Sequence, residues 1–579
     1  MHTEARLRGF QFGTTTTQVF AWAPFGLVLG WLWWRLIDAL RLVWSLEPRY
    51  AYGWSVPVLC GYLAWLRWER WRTEQTSLSN TASARAVNFS GLSLVPKAES
   101  GGRKKIGWRE GWTTLAGCCL AASYAAARLV QEANPWWSLA HWTLGGTVVG
   151  ITLWLLRKAI AHATLLNNGG RPMPSWRTFV FPVAFILVAV PWPYTLTEPI
   201  IQRLTRWNTW ITVELLGWMS LPAVAHGNVI EVATGRVGVD EACSGIRSMQ
   251  GTLMLSLFFG ELYALPWPGR WVLLFIGPAL AIMANLGRTL GLTYAAARHG
   301  EWAVAAWHDP AGLTVLLTTC AAVWGLAIWL KRRLPKADPR GAPPIITHDL
   351  TTDVGNKPLP SVASKQWLGL NAAWLLWLAT VDAGVLVWYD HIESKRRPGP
   401  DWELVWPHAE ANLTELQLSR AARELLQCDE ARLVRWQSAD GRYLQITLLR
   451  WRPGRAAAYL AKSHNPLVCM PAAGFPIESV SDVRWMEKGT LRLPYRLYQF
   501  RSDQSTVHVL YSRWEEGSME QSFAREEAGP WSRLSSVWTG RGIHGQRVLV
   551  AAIWGMTDDE EAERRLCEME LKPRLVVRP

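Results

Sequence analysis

No CxxC pair and no cysteine/histidine spacing of zinc type occurs among the eight cysteines, at 60, 118, 119, 243, 320, 428, 469 and 567, so no metal site is expected. Internal repeats and low-complexity tracts are lacking as well, which argues against solenoids and compositionally disordered chains. The first residues, MHTEARLRGFQFGTTTT, lack a short apolar stretch with a small-residue cleavage site, so no removable signal peptide is expected. Charged residues are only 18% of the chain, yet the net charge is +14. The basic residues cluster in loops between apolar blocks, a placement that sets membrane orientation and attracts anionic lipid. Nucleic-acid binding is therefore not expected, and nothing in the chain calls for a cofactor.

What is abundant is apolar: 50% of the 579 residues are hydrophobic and 39 are tryptophan. These residues come in blocks near 19–34, 51–66, 112–130, 138–156, 178–195, 246–264, 271–287, 310–330 and 367–389. A bilayer core of about 30 Å needs roughly 20 mostly apolar residues per helix, so the blocks read as membrane spans. Mean hydropathy is nevertheless only +0.03, and a large polar part must dilute them. The stretch 209–225, TWITVELLGWMSLPAVA, reads as interfacial or as one more span.

Lysine and arginine counts orient the blocks: nine fall in 67–110, four in 157–177 and seven in 331–365, against none in 131–137. These three basic segments are expected in the cytoplasm. With 209–225 interfacial, residues 196–245, 288–309 and everything after 390 then lie outside. The expected fold is an α-helical polytopic membrane protein of about eight to nine transmembrane helices, followed by a C-terminal soluble α+β domain. Its parts are a membrane-embedded domain at 1–333, a cytoplasmic linker at 334–365, a further transmembrane helix at 366–390 and a soluble outer domain at 391–579. In that last domain ANLTELQLSRAARELLQ has helical spacing, while GRYLQITLLRW, TLRLPYRLYQFRS and STVHVLYSRW read as strands.

The stretch VGVDEACSGIRSM, 237–249, stands apart from its Leu- and Ala-rich surroundings. Cys243 falls at the outer mouth of a membrane helix, where the positive end of the helix dipole favours a thiolate, and Arg247 returns to the same helical face four residues on. Taken alone, Cys243 is either a reactive thiol or a buried cysteine beside a cap. Arg288, in MANLGRTLGL, lies at the outer end of the next apolar run, where a charge either snorkels or serves function. His308, in WHDPAGLTVLL, opens the run after that, with Asp309 beside it to orient the ring or cap the helix. Charge counting brings Cys243, Arg288 and His308 to one side of the membrane at the ends of consecutive helices. A thiol, an imidazole and a guanidinium supply a nucleophile, a proton carrier and a cation for an oxyanion.

GNVIEVATGRVGVDEACSGIRS, ANLGRTL and WHDPAG together resemble the exosortase and archaeosortase family of membrane cysteine transpeptidases. The likeness covers roughly residues 18–330; in the early segment this chain has Tyr52, Gly53 and Trp54 where the family more often has Ser-His-Gly, and no role is carried over there. The resemblance implies Cys243 as nucleophile, Arg288 as supporting cation and His308 as third member of the bacterial type, with Glu241, Ser244, Gly245, Arg247, Asn285 and Asp309 in support. It implies substrates that are membrane-anchored secreted proteins with a C-terminal sorting signal of Pro-Glu-Pro type, cut through a thioester and passed to an acceptor such as a glycan or lipid. The implied setting is the bacterial inner membrane, with site and C-terminal domain facing the periplasm, in the service of exopolysaccharide and cell-surface biogenesis.

YLAKSHNPLVCMPAAGFPIES resembles the exosortase-associated domain, through His464, Asn465, Pro466, Cys469, Pro471, Gly474 and Phe475. His464 and Cys469 form either a second thiol site or a structural loop, with Cys428 and Cys567 as candidate disulfide partners for Cys469. The rival to the enzyme is a non-enzymatic polytopic component of polysaccharide export with a periplasmic binding domain. A transport path needs its charges near the midplane, whereas these gather at one face.

Overall fold

A computed structural model describes residues 16–86, 106–166, 173–226, 229–238, 245–334, 360–395, 399–407, 412–418, 422–423, 426–463, 465–472, 475–501, 505–517, 530–541 and 544–578. The first half is helical: α1 (Thr16–Leu46), α2 (Val56–Ala86), α3 (Ile106–Ala133) and α4 (Ser138–Leu166) are long and rich in Leu, Ala and Trp. The expected span at 178–195 is broken. A mixed 3-10 and α stretch at 176–189, with α5 (Val180–Ala184) inside it, stops before Pro191 and Pro193, and α6 (Tyr194–Trp218) leaves at 68°. Two prolines around one tryptophan remove two backbone donors and push the preceding residues out of the helical region. The apolar stretch 209–225 is thus the end of α6 followed by strand β1 (Ala223–His226).

Strands β2 (Val229–Val232) and β3 (Gly235–Gly238) complete a three-stranded antiparallel sheet with β1. Then come α7 (Ile246–Leu262), α8 (Trp267–His299), α9 (Glu301–Arg333) and α10 (Pro360–Ser394). Five helices among the described residues are long and apolar enough to cross a membrane, or six if the bent pair counts as one span. Large apolar side chains such as Leu115, Phe275 and Leu376 point outward from them, as on helices bathed in lipid rather than water. The chain is a multi-pass membrane protein. Its largest apolar core joins α1, α3, α4 and α10 through Leu32, Leu36, Tyr124, Leu144, Leu378 and Tyr389.

Inside that core Asp382 of α10 accepts from Arg128 Nε of α3 at 2.8 Å, Arg35 Nε of α1 at 2.9 Å and Trp31 Nε1 at 2.7 Å. A buried carboxylate survives in a bundle only with its charge matched and its lone pairs occupied.

The C-terminal part is an antiparallel sheet of eight strands. Strands β5 (Thr414–Leu416), β6 (Glu430–Gln437), β7 (Tyr443–Trp451), β12 (Gln546–Trp554), β11 (Thr506–Glu515), β10 (Leu491–Arg501) and β8 (Ile477–Val480) follow in that spatial order, and β9 (Arg484–Lys488) pairs with β10. The three runs expected as strands are β7, β10 and β11, whereas Thr414–Leu416, inside the run expected as a helix, pairs with β6. Alternation sends Leu549, Ala551 and Ile553 to one face and Val548 and Ala552 to the other. A separate pair, β4 (Asp401–Leu404) and β13 (Leu575–Arg578), buries Trp402 and Leu575 against the first face.

This part is clamped onto the bundle. Arg455 reaches Asp38 at 3.3 Å and Glu132 at 3.5 Å; Arg541 reaches Glu393 at 3.0 Å and Glu132 at 3.5 Å. Trp136 stacks on Tyr459 at 4.2 Å, and its ring nitrogen donates to the Arg455 carbonyl. The clamp therefore stands at the same end of the bundle as the 133–138 turn.

Candidate functional site

Helices α8 and α9 form an antiparallel hairpin, and both are longer than the apolar runs that mark them. Each has 33 residues, about 50 Å at 1.5 Å per residue. Arg288 is therefore not at the helix end but 11 residues before His299, and His308 sits two turns inside α9. The extra length is sheltered by the small sheet, where Ile230, Val232 and Val237 pack on Ala296 and Thr234 donates to the Ala296 carbonyl at 2.6 Å. From Trp267 to Arg288 is about 31 Å along the axis, and from Lys331 to His308 about 34 Å. Both candidate side chains thus lie roughly one hydrocarbon thickness from the basic end of the bundle, under the sheet.

Here the two side chains meet: Arg288 Nη2 lies 2.9 Å from His308 Nε2 and also donates to the His308 carbonyl at 3.4 Å. Gly312, one turn further along α9, leaves room for the guanidinium; a Cβ there would stand 3.8 Å from Nη2. On the other side of the ring His308 Nδ1 is 3.0 Å from Asp309 Oδ1. Arginine can only donate, so Nε2 accepts and the ring proton sits on Nδ1, donated to Asp309. Asp309 is 97% exposed and His308 40%, so the imidazole edge opens toward solvent while Nε2 faces the helix hairpin.

The wall behind Arg288 is polar and buried. Asn285 and Thr289 are both below 4% exposed, and Asn208 of α6 donates to Thr289 Oγ1 at 2.8 Å. Asn208 and Thr289 were not singled out from the sequence; the signal was a run of Thr and Asn at helical spacing in α6, TRWNTWIT, facing the polar ANLGRT of α8. Gly245 starts α7 with φ +82°, a left-handed conformation, and packs directly on Asn285, where an added Cβ would come within 3.2 Å of the amide nitrogen. Glycine serves at this point both for its sign of φ and for the close approach.

Arg247 is exposed on the first turn of α7. Cys243, Glu241 and Ser244 lie outside the described residues, as does His464. The structure thus brings Gly245, Asn285, Arg288, His308 and Asp309 to one place.

Residues 33–325, half of the chain, match the family of transmembrane exosortases. The chain belongs to that family. Neither a curated protein nor a solved structure matches it. The exosortase match covers α2 to α8 entirely, the later part of α1 and most of α9, so it reaches both site helices. It leaves out α10, although α10 is built into the core.

Cys469 stands apart from this site, on the short helix Pro466–Ala472 of the C-terminal part. Burial pushes its thiol above the ordinary value, the opposite of what a nucleophile needs. Neither Cys428 nor Cys567 is in a disulfide, so neither bridges to Cys469. Cys567 packs under one face of the large sheet with Leu566 and Leu571, while Cys428 packs on the other with Met470 and Phe475.

Proposed function

We propose that this exosortase is a cysteine transpeptidase of the bacterial inner membrane, with eight to nine crossings and its site and residues 391–579 in the periplasm. Its substrates are membrane-anchored secreted proteins with a C-terminal sorting signal, and the products serve the cell surface and its exopolysaccharide. The observation that carries this reading is the Arg288–His308 contact of 2.9 Å beside Gly245. Chain connectivity keeps the Cα of Cys243 within about 7 Å of that of Gly245.

In this reading the Cys243 sulfur attacks the scissile carbonyl carbon and the amide C–N bond breaks, leaving a thioester. His308 takes the thiol proton at Nε2 and returns it to the departing amine. In the resting arrangement Arg288 occupies the Nε2 lone pair, so the base is blocked until the guanidinium moves. The oxyanion that forms on the substrate is the natural destination for that cation. One motion then frees the base and supplies the electrostatic stabilisation. Asp309 holds the ring by Nδ1, as the third member of such sets does. An acceptor nucleophile, of glycan or lipid kind, then attacks the thioester and regenerates the thiol.

A substrate helix in the bilayer delivers its outer end to the depth of Arg288, which replaces a bimolecular encounter by positioning. Residues 391–579, of exosortase-associated type, are held above the bundle and belong to substrate or acceptor handling. The test is Cys243→Ala in the native host, read by whether a protein with a sorting tail still loses it. Retention of the tail supports the reading; normal loss overturns it.

A further inference from the structure

The far end of the bundle carries a charge cluster that has no part in acyl transfer. Glu261, in the last turn of α7, is fully buried. Arg67 of α2 grips its carboxylate through Nε and, at 2.7 Å, through Nη2. Arg270 of α8 donates to it at 3.1 Å. Arg70 of α2 stands 3.8 Å from the same carboxylate and donates to the carbonyls of Glu261 and Leu262 at 3.3 and 2.5 Å.

Three guanidinium groups share one carboxylate, and among the described residues no second carboxylate pairs with them. Two positive charges are in excess at a junction of three helices. The arginine side chains are each close to one-third exposed, 31, 33 and 28%, so the cluster opens outward from the bundle. The basic end of α9 adds to it, with Lys331 Nζ 5.0 Å from the Tyr263 ring.

Beside Arg270 the lipid-facing side of α8 carries an aromatic ladder. Trp267, Trp271 and Phe275 stack in series, with ring centroids 6.1 and 5.9 Å apart, and are 72, 50 and 70% exposed. A cationic fork next to an exposed apolar strip is matched by an amphiphile with an anionic head. Free phosphate would satisfy the first feature only. We propose that Arg67, Arg70 and Arg270 bind the phosphate of an anionic phospholipid headgroup, with an acyl chain lying along Trp267, Trp271 and Phe275.

A phosphodiester takes paired N–H donors from guanidinium in the plane of the fork and neutralises charge that a low-dielectric edge leaves expensive. Basic pockets between helices on the cytoplasmic side suit such headgroups, and the anionic leaflet keeps them supplied. The glutamate has its own task here: it holds the three cations together against their mutual repulsion.

The test uses the full chain in detergent, incubated with equal amounts of phosphatidylglycerol and phosphatidylcholine of the same acyl chains, with retained lipid read by native mass spectrometry. Wild type is expected to retain one phosphatidylglycerol with about tenfold preference, the worth of one charge-assisted contact. Arg70→Gln with Arg270→Gln is expected to erase the preference, Trp271→Ala to reduce retention, and excess inorganic phosphate to displace nothing. Should the glutamine pair fail to fold, Arg70→Lys with Arg270→Lys keeps the charge and loses the fork, and is expected to cut the preference by at least about threefold. Equal retention of the two lipids by wild type overturns the proposal, as does full preference in the arginine variants. Displacement by inorganic phosphate shows a plain anion site and overturns it too.

Discussion

Replacing Arg288 by lysine separates the two tasks assigned to this side chain. The change keeps a positive charge near His308 and removes the planar fork whose Nη2 serves both Nε2, at 2.9 Å, and the His308 carbonyl, at 3.4 Å. Loss of one aligned donor to a developing oxyanion costs about 10² to 10³ in turnover, or about 2.7–4 kcal/mol. Because lysine retains the charge, Arg288→Lys is expected at the lower end, about 10². The thiol responds differently: the nearby charge remains and Nε2 is released from its donor, so alkylation of Cys243 by a small electrophile keeps pace with wild type. The assay is single-turnover loss of the sorting tail from a substrate co-reconstituted with excess enzyme, which isolates chemistry from product release. It runs beside alkylation followed by mass spectrometry of the Cys243 peptide. Turnover within about threefold of wild type refutes the oxyanion task. Alkylation that falls in step with turnover refutes the separation of tasks, since the arginine would then act through the thiol.

Gly245→Ala forces a Cβ onto a residue at φ +82° and into contact with Asn285; the backbone term alone is about 1–2 kcal/mol, and a lower melting temperature with reduced turnover is expected in a thermal-shift and activity comparison. Asp382→Asn takes the carboxylate partner from Arg35 and leaves Arg128 only the longer contact with Glu132, at 3.4 Å; it is expected to cost about 3–5 kcal/mol, read as a fall in thermal stability in detergent, and an unchanged melt counts against the pairing. Glu132→Gln removes the carboxylate that Arg455 and Arg541 share, a loss of about 1–3 kcal/mol. Hydrogen exchange is expected to rise in the helix Pro530–Thr539, where Asn134 and Trp388 also hold the C-terminal part.

Arg288 and His308 were legible because each interrupts an apolar run, and a charged or titratable group there demands a reason. Their depth within the helices was not legible. Hydropathy reads what faces lipid, and beyond Arg288 the buried side of α8 turns to Asn208 and to the small sheet through Thr289, Thr293 and Ala296, so the apolar signal stops while the helix continues. The sheet itself was hidden inside a stretch read for its cysteine, although VIEV and GRVG flank a two-residue Ala-Thr turn, as the strands of a hairpin do. In the C-terminal part, three strands announced themselves by alternation. Thr414–Leu416 did not, because a three-residue edge strand carries too little pattern to outweigh helical spacing around it.

The place of Asp382 bears on how the chain is made. Arg35 and Arg128 enter the membrane early in synthesis, yet their counter-charge lies 254 residues after Arg128. A nascent chain that has finished its family-matched portion still holds Arg35 without the carboxylate of Asp382, and Arg128 with only the longer contact to Glu132, at 3.4 Å. Insertion of α10 is then the event that locks the earlier helices into place, and the C-terminal part follows it only after the bundle is complete. Shortened chains that end before residue 360 are expected to be cleared as unfinished, and a truncation meant to isolate the membrane portion has to keep the tenth helix.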